Sequence, residues 1–334
     1  MRFGIEFVPN LSTLDIAYYS RIAEDLNFDN IWVTDHYNNR NVYVTLTHVA
    51  LYTNKITIGA GVTNPYHVNP AVIASSIATI DEISGGRTVL GIGAGDRTTL
   101  ADLGIERKNN LAAVRESVSI IRQLWAGKAV QHEGIAFNMP NAKLGFKIAN
   151  ILPIYLAAQG PNMTELAAEI AEGVLINGSH PQDYVFAEKM LKKGSAKSER
   201  CITPPTFDVG AYTVFSIDKD REKAVKAAKV PVAYIVAGSI QEVLDRHNIE
   251  KAVSDKIEEE LRKGNITEAK SLVNDDMMDL CAVIGDVDEC IEKIEALQGA
   301  GVSQLIVGTP IGPDILKAIK TIGKSIIPVF KKEG

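Results

Sequence analysis

Over its first 180 residues the chain alternates short apolar runs with longer segments in which apolar residues recur every three or four positions. The runs read as strands and the periodic segments as amphipathic helices. "FGIEFV" (3–8) predicts a first strand, with a helix over 12–26. "NIWVTD" (30–35) predicts a second, with a helix near 43–53, and "ITIGAGV" (56–62) a third, with a helix after Pro70. "TVLGIGAG" (88–95) predicts a fourth, with a long helix over 108–126. "PIYLAAQ" (153–159) with a helix over 162–172, and "GVLING" (173–178) with a helix opened by Pro181, make six units. Proline suits a first helical turn, where its missing N–H costs nothing. "FDVGAYTVFSI" (207–217) and "SQLIVGTP" (303–310) supply a seventh and an eighth strand, and 313–324 a last helix.

Strand–helix alternation implies a parallel sheet covered by helices, and eight units imply a closed (β/α)8 TIM barrel. Two stretches break the period. Residues 128–152, after strand four, carry Gly, Pro and Asn and read as an insertion with short strands. Residues 219–290, after strand seven, are long, charged and helical, with little β signal. Neither has the composition of a linker, so residues 1–334 are expected to form a single barrel domain with two insertions.

Composition narrows the function classes. The 334 residues are 46% hydrophobic and carry a net charge of -6, with no Lys/Arg-rich block. Nucleic acid is not expected as a partner, since phosphate binding needs a dense basic surface. No apolar run approaches the roughly 20 residues that span a bilayer, and the N-terminus lacks the pattern of a signal peptide. A cytoplasmic protein, with no membrane partner, is expected. Cys201, Cys281 and Cys290 have no CxxC spacing, so neither a zinc site nor a disulfide framework is expected and the thiols read as buried.

The run "RTVLGIGAGD" (87–96) invites a dinucleotide-binding reading, which requires G-x-G-x-x-G. Counting from Gly91, the last glycine falls on Asp96; from Gly93, it falls on Thr98. Both frames fail. Gly93, Ala94, Gly95 and Asp96 instead mark the C-terminal end of a barrel strand, where such barrels build their sites, and bare backbone there lets a ligand approach.

Other strand ends carry polar residues as well. Glu6 interrupts the apolar first strand, an expensive place for a carboxylate unless it is paired or used. Strand two ends in Asp35 and His36, strand three in Gly61, Val62, Thr63 and Asn64. Strand five ends in Gln159 and Gly160, strand six in Asn177, Gly178, Ser179 and His180. No metal-ligand spacing surrounds Asp35 and His36, so no metal is expected. Nucleophile, P-loop and HExxH motifs are absent, so the reading is a bound organic cofactor that does the hard chemistry.

The stretches "FGIEFVP", "WVTDHY", "TIGAGVTNPYHVNP", "LGIGAGD" and "YLAAQGPNMTELAAEIAEGVLINGSHP" together resemble the bacterial-luciferase-like barrel superfamily. Within it they resemble the methanogen branch, the coenzyme F420-dependent reductases of methylenetetrahydromethanopterin. The resemblance covers nearly the whole chain; "GVTNPYHVNP" and "AAQGPNMTELA" are its most specific parts. It implies hydride transfer from the reduced deazaflavin to 5,10-methylenetetrahydromethanopterin in methanogenesis from carbon dioxide, a homodimer or homotetramer, and a non-prolyl cis peptide at Gly61–Val62. The acceptor is best written as an iminium cation, formed when the methylene bridge opens with a proton on the departing nitrogen.

Glu6, on an apolar barrel floor, is the candidate for that acid. Asp35 and Asp96 are candidates for orienting hydrogen bonds. His36, Gly61, Val62, Thr63, Gly93, Ala94, Gly95, Gln159, Gly160, Asn177, Gly178, Ser179 and His180 are carried over as cofactor contacts. Rival readings are another F420-dependent dehydrogenase, of an alcohol or sugar phosphate with His36 as base, an FMN-dependent monooxygenase, and a non-catalytic ligand-binding barrel.

Overall fold

In the computed structural model, which describes residues 1–200, 202 and 206–331, the chain forms eleven strands among the described residues. They are β1 (Arg2–Phe7), β2 (Asn30–Val33), β3 (Thr57–Thr63), β4 (Thr88–Ile92), β5 (Val130–Glu133), β6 (Asn138–Ala142), β7 (Ile154–Ala157), β8 (Gly173–Asn177), β9 (Asp208–Ile217), β10 (Ala282–Gly285) and β11 (Gln304–Ile311). Eight of them run parallel in the order β1-β2-β3-β4-β7-β8-β9-β11, and β11 pairs back onto β1 to close the barrel. These eight are the strands expected from the hydrophobic pattern.

Period-two alternation explains the closure. Along β1, Phe3, Ile5 and Phe7 face outward into the core shared with the helices. Gly4 and Glu6 face inward, Gly4 against Trp32. Each fully buried Phe or Ile contributes roughly 1.5–3 kcal/mol. Inside, Trp32, Val89, Tyr155, Leu175 and Ile306 pack as a separate apolar plug, flanked by Val62 and Tyr212. The plug is a filled core and not a pore.

Below it a polar layer seals the N-terminal end of the barrel. The Gln304 side-chain carbonyl accepts from Trp32 Nε1–H at 3.0 Å, and its amide donates to Asn30 and Asp208. Tyr155 donates to Asp208, which also pairs with Arg2. With this end closed, a ligand has only the C-terminal mouth.

Local signals set the helix ends. In Pro70–Ser84, Asn69 caps the start by accepting from Ala71 N–H, Pro70 takes the first turn, and Gly85 ends the helix at φ +73°. Residues 128–152 contain the antiparallel hairpin β5–β6. Residues 221–281 form a run of helices with their own apolar cluster around Val232, Val236, Leu244, Ile257 and Met277.

Two expectations need correction. The stretch 219–290 contains β10, which continues along the edge of β9 where β8 leaves it: β8 pairs with residues 208–212 and β10 with 214–217. Four residues, "AVIG", directly after a helix are too short to register as a β run. The fourth strand ends at Ile92 rather than 95, because the chain turns at the glycines. Cys290 is buried and Cys281 half-buried; Cys201 lies outside the described residues. No helix among the described residues is long and apolar enough to cross a membrane.

Candidate active site

Glu6 stands at the end of β1, paired in register with Trp32, with 5% of its surface exposed. Burial raises its pKa from 4.5 to about 7, against the lowering effect of hydrogen bonds from Thr309. The Thr309 backbone N–H donates to Glu6 Oε2 at 2.7 Å. Thr309 sits where β11 loses register with β9, before a cis Thr309–Pro310 bond and Ile311 at φ +70°.

On β3 the register against β4 shifts between Ala60 and Thr63, and the Gly61–Val62 peptide within this bulge is cis, as the resemblance implied. Gly61 has no room for a side chain: a Cβ would lie 2.9 Å from both Trp32 Cβ and the Tyr212 hydroxyl. That hydroxyl crosses the barrel from β9 and donates to the Gly61 carbonyl at 2.8 Å. Burial and the neighbouring Glu6 carboxylate hold the Tyr212 pKa far above its ordinary value, so it stays a neutral donor.

Beside the bulge lies a polar rim. Thr63 donates to Asp35 Oδ2 at 2.6 Å and therefore accepts from the Tyr43 hydroxyl at 3.3 Å. His67 Nε2 lies 3.3 Å from the same carboxylate oxygen. Asn64 Oδ1 accepts the backbone N–H groups of Tyr66 and His67, which fixes its amide orientation. Its Nδ2 must then donate to His67 Nδ1 at 2.8 Å. The proton of this ring is thereby assigned to Nε2, facing Asp35. Asp35 thus accepts from Thr63 and faces the His67 ring. The adjacent His36 has its pKa lowered by burial, partly opposed by Asp96 and Asp35.

The β4 turn is less open. Gly93 N–H donates to the Thr63 carbonyl, and Gly95, at φ +74°, offers its carbonyl to Arg107 at 2.7 Å. Ala94 is half-buried between them. Asp96 is exposed and caps the helix Arg97–Asp102 by accepting from Thr99 N–H at 2.7 Å.

The β7 and β8 ends form a second group. Gln159 and Asn177 line a small cavity together with Thr164, Asp183, Phe186 and Arg246. Gly160 and His180 occupy the N-cap positions of Pro161–Ile170 and Pro181–Ser198; the His180 side chain accepts from Gln182 N–H. Gly178 lies against Asp183, and Ser179 donates to the Cys281 carbonyl.

Asp183, 6% exposed, accepts from Arg246 at 2.6 Å and from His247 Nε2 at 2.9 Å. This joint ties the helices after β9 to the mouth. Arg97 adds a contact from the β4 side by donating to both Glu258 oxygens.

Sequence reasoning missed Thr309, Tyr212, His67, Tyr43 and Asp183. Tyr212 alone carried a signal: it occupies an inward position of its strand, as Glu6 does. Among the described residues no three His, Cys, Asp or Glu side chains are grouped as metal ligands.

A closed parallel barrel with a buried acid beside a β3 bulge defines a class, and comparison with known proteins identifies it. Residues 12–304 match the family model described as luciferase-like monooxygenase, and the chain belongs to this luciferase-like family. It is 50% identical to the 5,10-methylenetetrahydromethanopterin reductase of Archaeoglobus fulgidus, over 99% of this chain and 100% of that protein. The structure of the coenzyme F420-dependent tetrahydromethanopterin reductase of Methanopyrus kandleri superposes with a TM-score of 0.91 at 40% identity, covering 99% of each chain. An F420-dependent secondary alcohol dehydrogenase shares the fold at a TM-score of 0.84 and 22% identity, covering 99% of each chain.

Proposed function

We propose that the chain catalyses reversible hydride transfer from reduced coenzyme F420 to 5,10-methylenetetrahydromethanopterin, giving the 5-methyl form. The observation that carries this is Glu6: a buried carboxyl at the C-terminal end of β1, its pKa raised to about 7 by burial, beside the apolar plug inside the barrel. The identity to the reductases over the full chain supports the choice of substrate.

The residues fit a deazaflavin. Val62 and the Tyr212 ring, packed on the buried plug of Trp32 and Ile306, offer the apolar surface that a hydride-carrying ring needs, and Asp35, Thr63 and His67 form a polar edge beside it. When bound, the cofactor supplies the hydride. The protein supplies position, exclusion of water and a proton. Glu6 delivers that proton to the nitrogen leaving the methylene bridge and, once ionised, stabilises the substrate cation.

Asp35 already accepts from Thr63 and lies beside His67, so it serves to orient. His36, kept neutral by burial, Gly61, Val62 and Thr63 line the ring. Gly93, Ala94 and Gly95 border its chain, and the β7–β8 ends, with Gln159, Gly160, Asn177, Gly178, Ser179 and His180, receive the tail. Asp96 contributes through its helix cap.

The same reading takes the chain as one barrel domain, cytoplasmic, assembled as a homodimer or homotetramer. The helix Val42–Tyr52 supports the assembly: it has no charged residue and exposes Val44, Leu51 and Tyr52, next to exposed Leu14, Tyr18 and Val72 on the flanking helices.

The test mixes purified protein with reduced F420 and methylenetetrahydromethanopterin while following the visible band of the oxidised deazaflavin. Rapid recovery of that band is expected with this pair. Recovery only with an acetone-type ketone, or binding of FMN in preference to the deazaflavin, overturns the reading.

A further inference from the structure

The proposed chemistry uses Glu6 on β1 and a ring seated on the β3 bulge, and something must hold these two in a fixed relation. We propose that Tyr212 is the positioning residue that does so, by tying the Gly61 carbonyl of the bulge to β9 across the barrel. The inference rests on the hydride-transfer reading of the site.

Four observations carry it. The hydroxyl reaches the Gly61 oxygen at 2.8 Å over a separation of 151 residues, so the bond joins opposite walls of the barrel. The joint is tight from both sides, because any Cβ at Gly61 would meet the hydroxyl and Trp32 at 2.9 Å. The ring packs against the apolar plug, as Val62 does, and Tyr212 is the register partner of Ile306. The ionised Glu6 carboxylate is close enough to oppose ionisation of the phenol.

β3 has lost its ladder register with β4 at this point, so the side-chain bond replaces backbone pairing as the local restraint. A bulge re-aims the groups it carries only if something fixes it. Hydride transfer is sensitive to displacements of a fraction of an ångström, so a loosened bulge lowers the rate even when the cofactor binds.

The test is Tyr212→Phe in the full-length protein. It deletes the hydroxyl and keeps the ring. Single turnovers are followed with F420 deuterated at the transferring carbon, and deazaflavin affinity is measured separately. Hydride transfer is expected to slow by about tenfold or more, with a larger isotope effect, weaker deazaflavin binding and no movement of the pH profile set by Glu6. A purely structural role would lower the melting temperature and the active fraction without touching the isotope effect.

Gly61→Ala loads the same joint from the other side and should give the same defect. Combined with Tyr212→Phe it should cost less than the two losses added together, since both variants act on one contact. A Tyr212→Phe enzyme with wild-type rate, isotope effect and deazaflavin affinity overturns the proposal and leaves the proposed function standing. If the wild-type chain passes no hydride to the pterin, the proposed function fails instead. The deazaflavin affinities of the two proteins then still decide the role of Tyr212.

Discussion

The backbone N–H of Thr309 donates to Glu6 Oε2 at 2.7 Å. An amide N–H can only donate, so Oε2 keeps its lone pair in both protonation states and the transferable proton belongs on Oε1. This bond across neighbouring strands links the strand that carries the acid to the irregular end of β11.

The first prediction is a pH profile. With its pKa near 7, Glu6 is protonated below that value and ionised above it. Methyl formation, which needs the acid, should slow as pH rises through 7; the reverse reaction, which needs the carboxylate, should quicken. Thr309→Val keeps the backbone bond but removes the hydroxyl that lowers this pKa, so both limbs should move up by about one pH unit or less. Rates in both directions between pH 5.5 and 8.5 check this.

The same group sets a stability trend. A carboxyl whose folded pKa is raised from 4.5 to about 7 contributes fully below 4.5, and that contribution is lost as pH rises through 7. Glu6→Gln abolishes the penalty. The variant should match the wild type at pH 4.5 and exceed it by about 3 kcal/mol at pH 8, read from denaturant unfolding. Equal stability at pH 8 would mean that the carboxyl is better solvated than its surroundings indicate.

Asp183 concerns the helices after β9. Asp183→Ala leaves Arg246, whose side chain is only 14% exposed, without its partner. Losing one side of such a pair costs about 3–5 kcal/mol. Proteolysis should then cut first between residues 240 and 262, with the barrel intact. Unchanged cutting at those residues would show that the apolar cluster alone holds them.

Leu51 tests the assembly. It is 66% exposed on a helix without charge. Leu51→Glu should shift the sedimentation profile toward monomer; an unaltered profile places the interface on another face.

The barrel was legible because its signal is local. Each strand carries its own period-two pattern, and each helix its own caps, as at Asn69, Pro70 and Gly85. Glu6 was legible for the same reason, as a charge where the pattern demands an apolar or small residue. Thr309, His67 and Asp183 were not, because their roles depend on partners: Thr309 lies 303 residues from Glu6, and Asp183 lies 63 residues from Arg246. Strand β10 was hidden because four residues after a helix carry no period of their own. It gains its place only from the free edge of β9.

The central claim, that Glu6 gives up the proton that lets hydride reach the substrate, is tested most directly by a single turnover of Glu6→Gln. Enzyme loaded with reduced F420 is mixed rapidly with methylenetetrahydromethanopterin and the deazaflavin band is followed. The account predicts deazaflavin affinity close to wild type with the transfer slowed by about 10²–10⁴-fold. Transfer at the wild-type rate would contradict it.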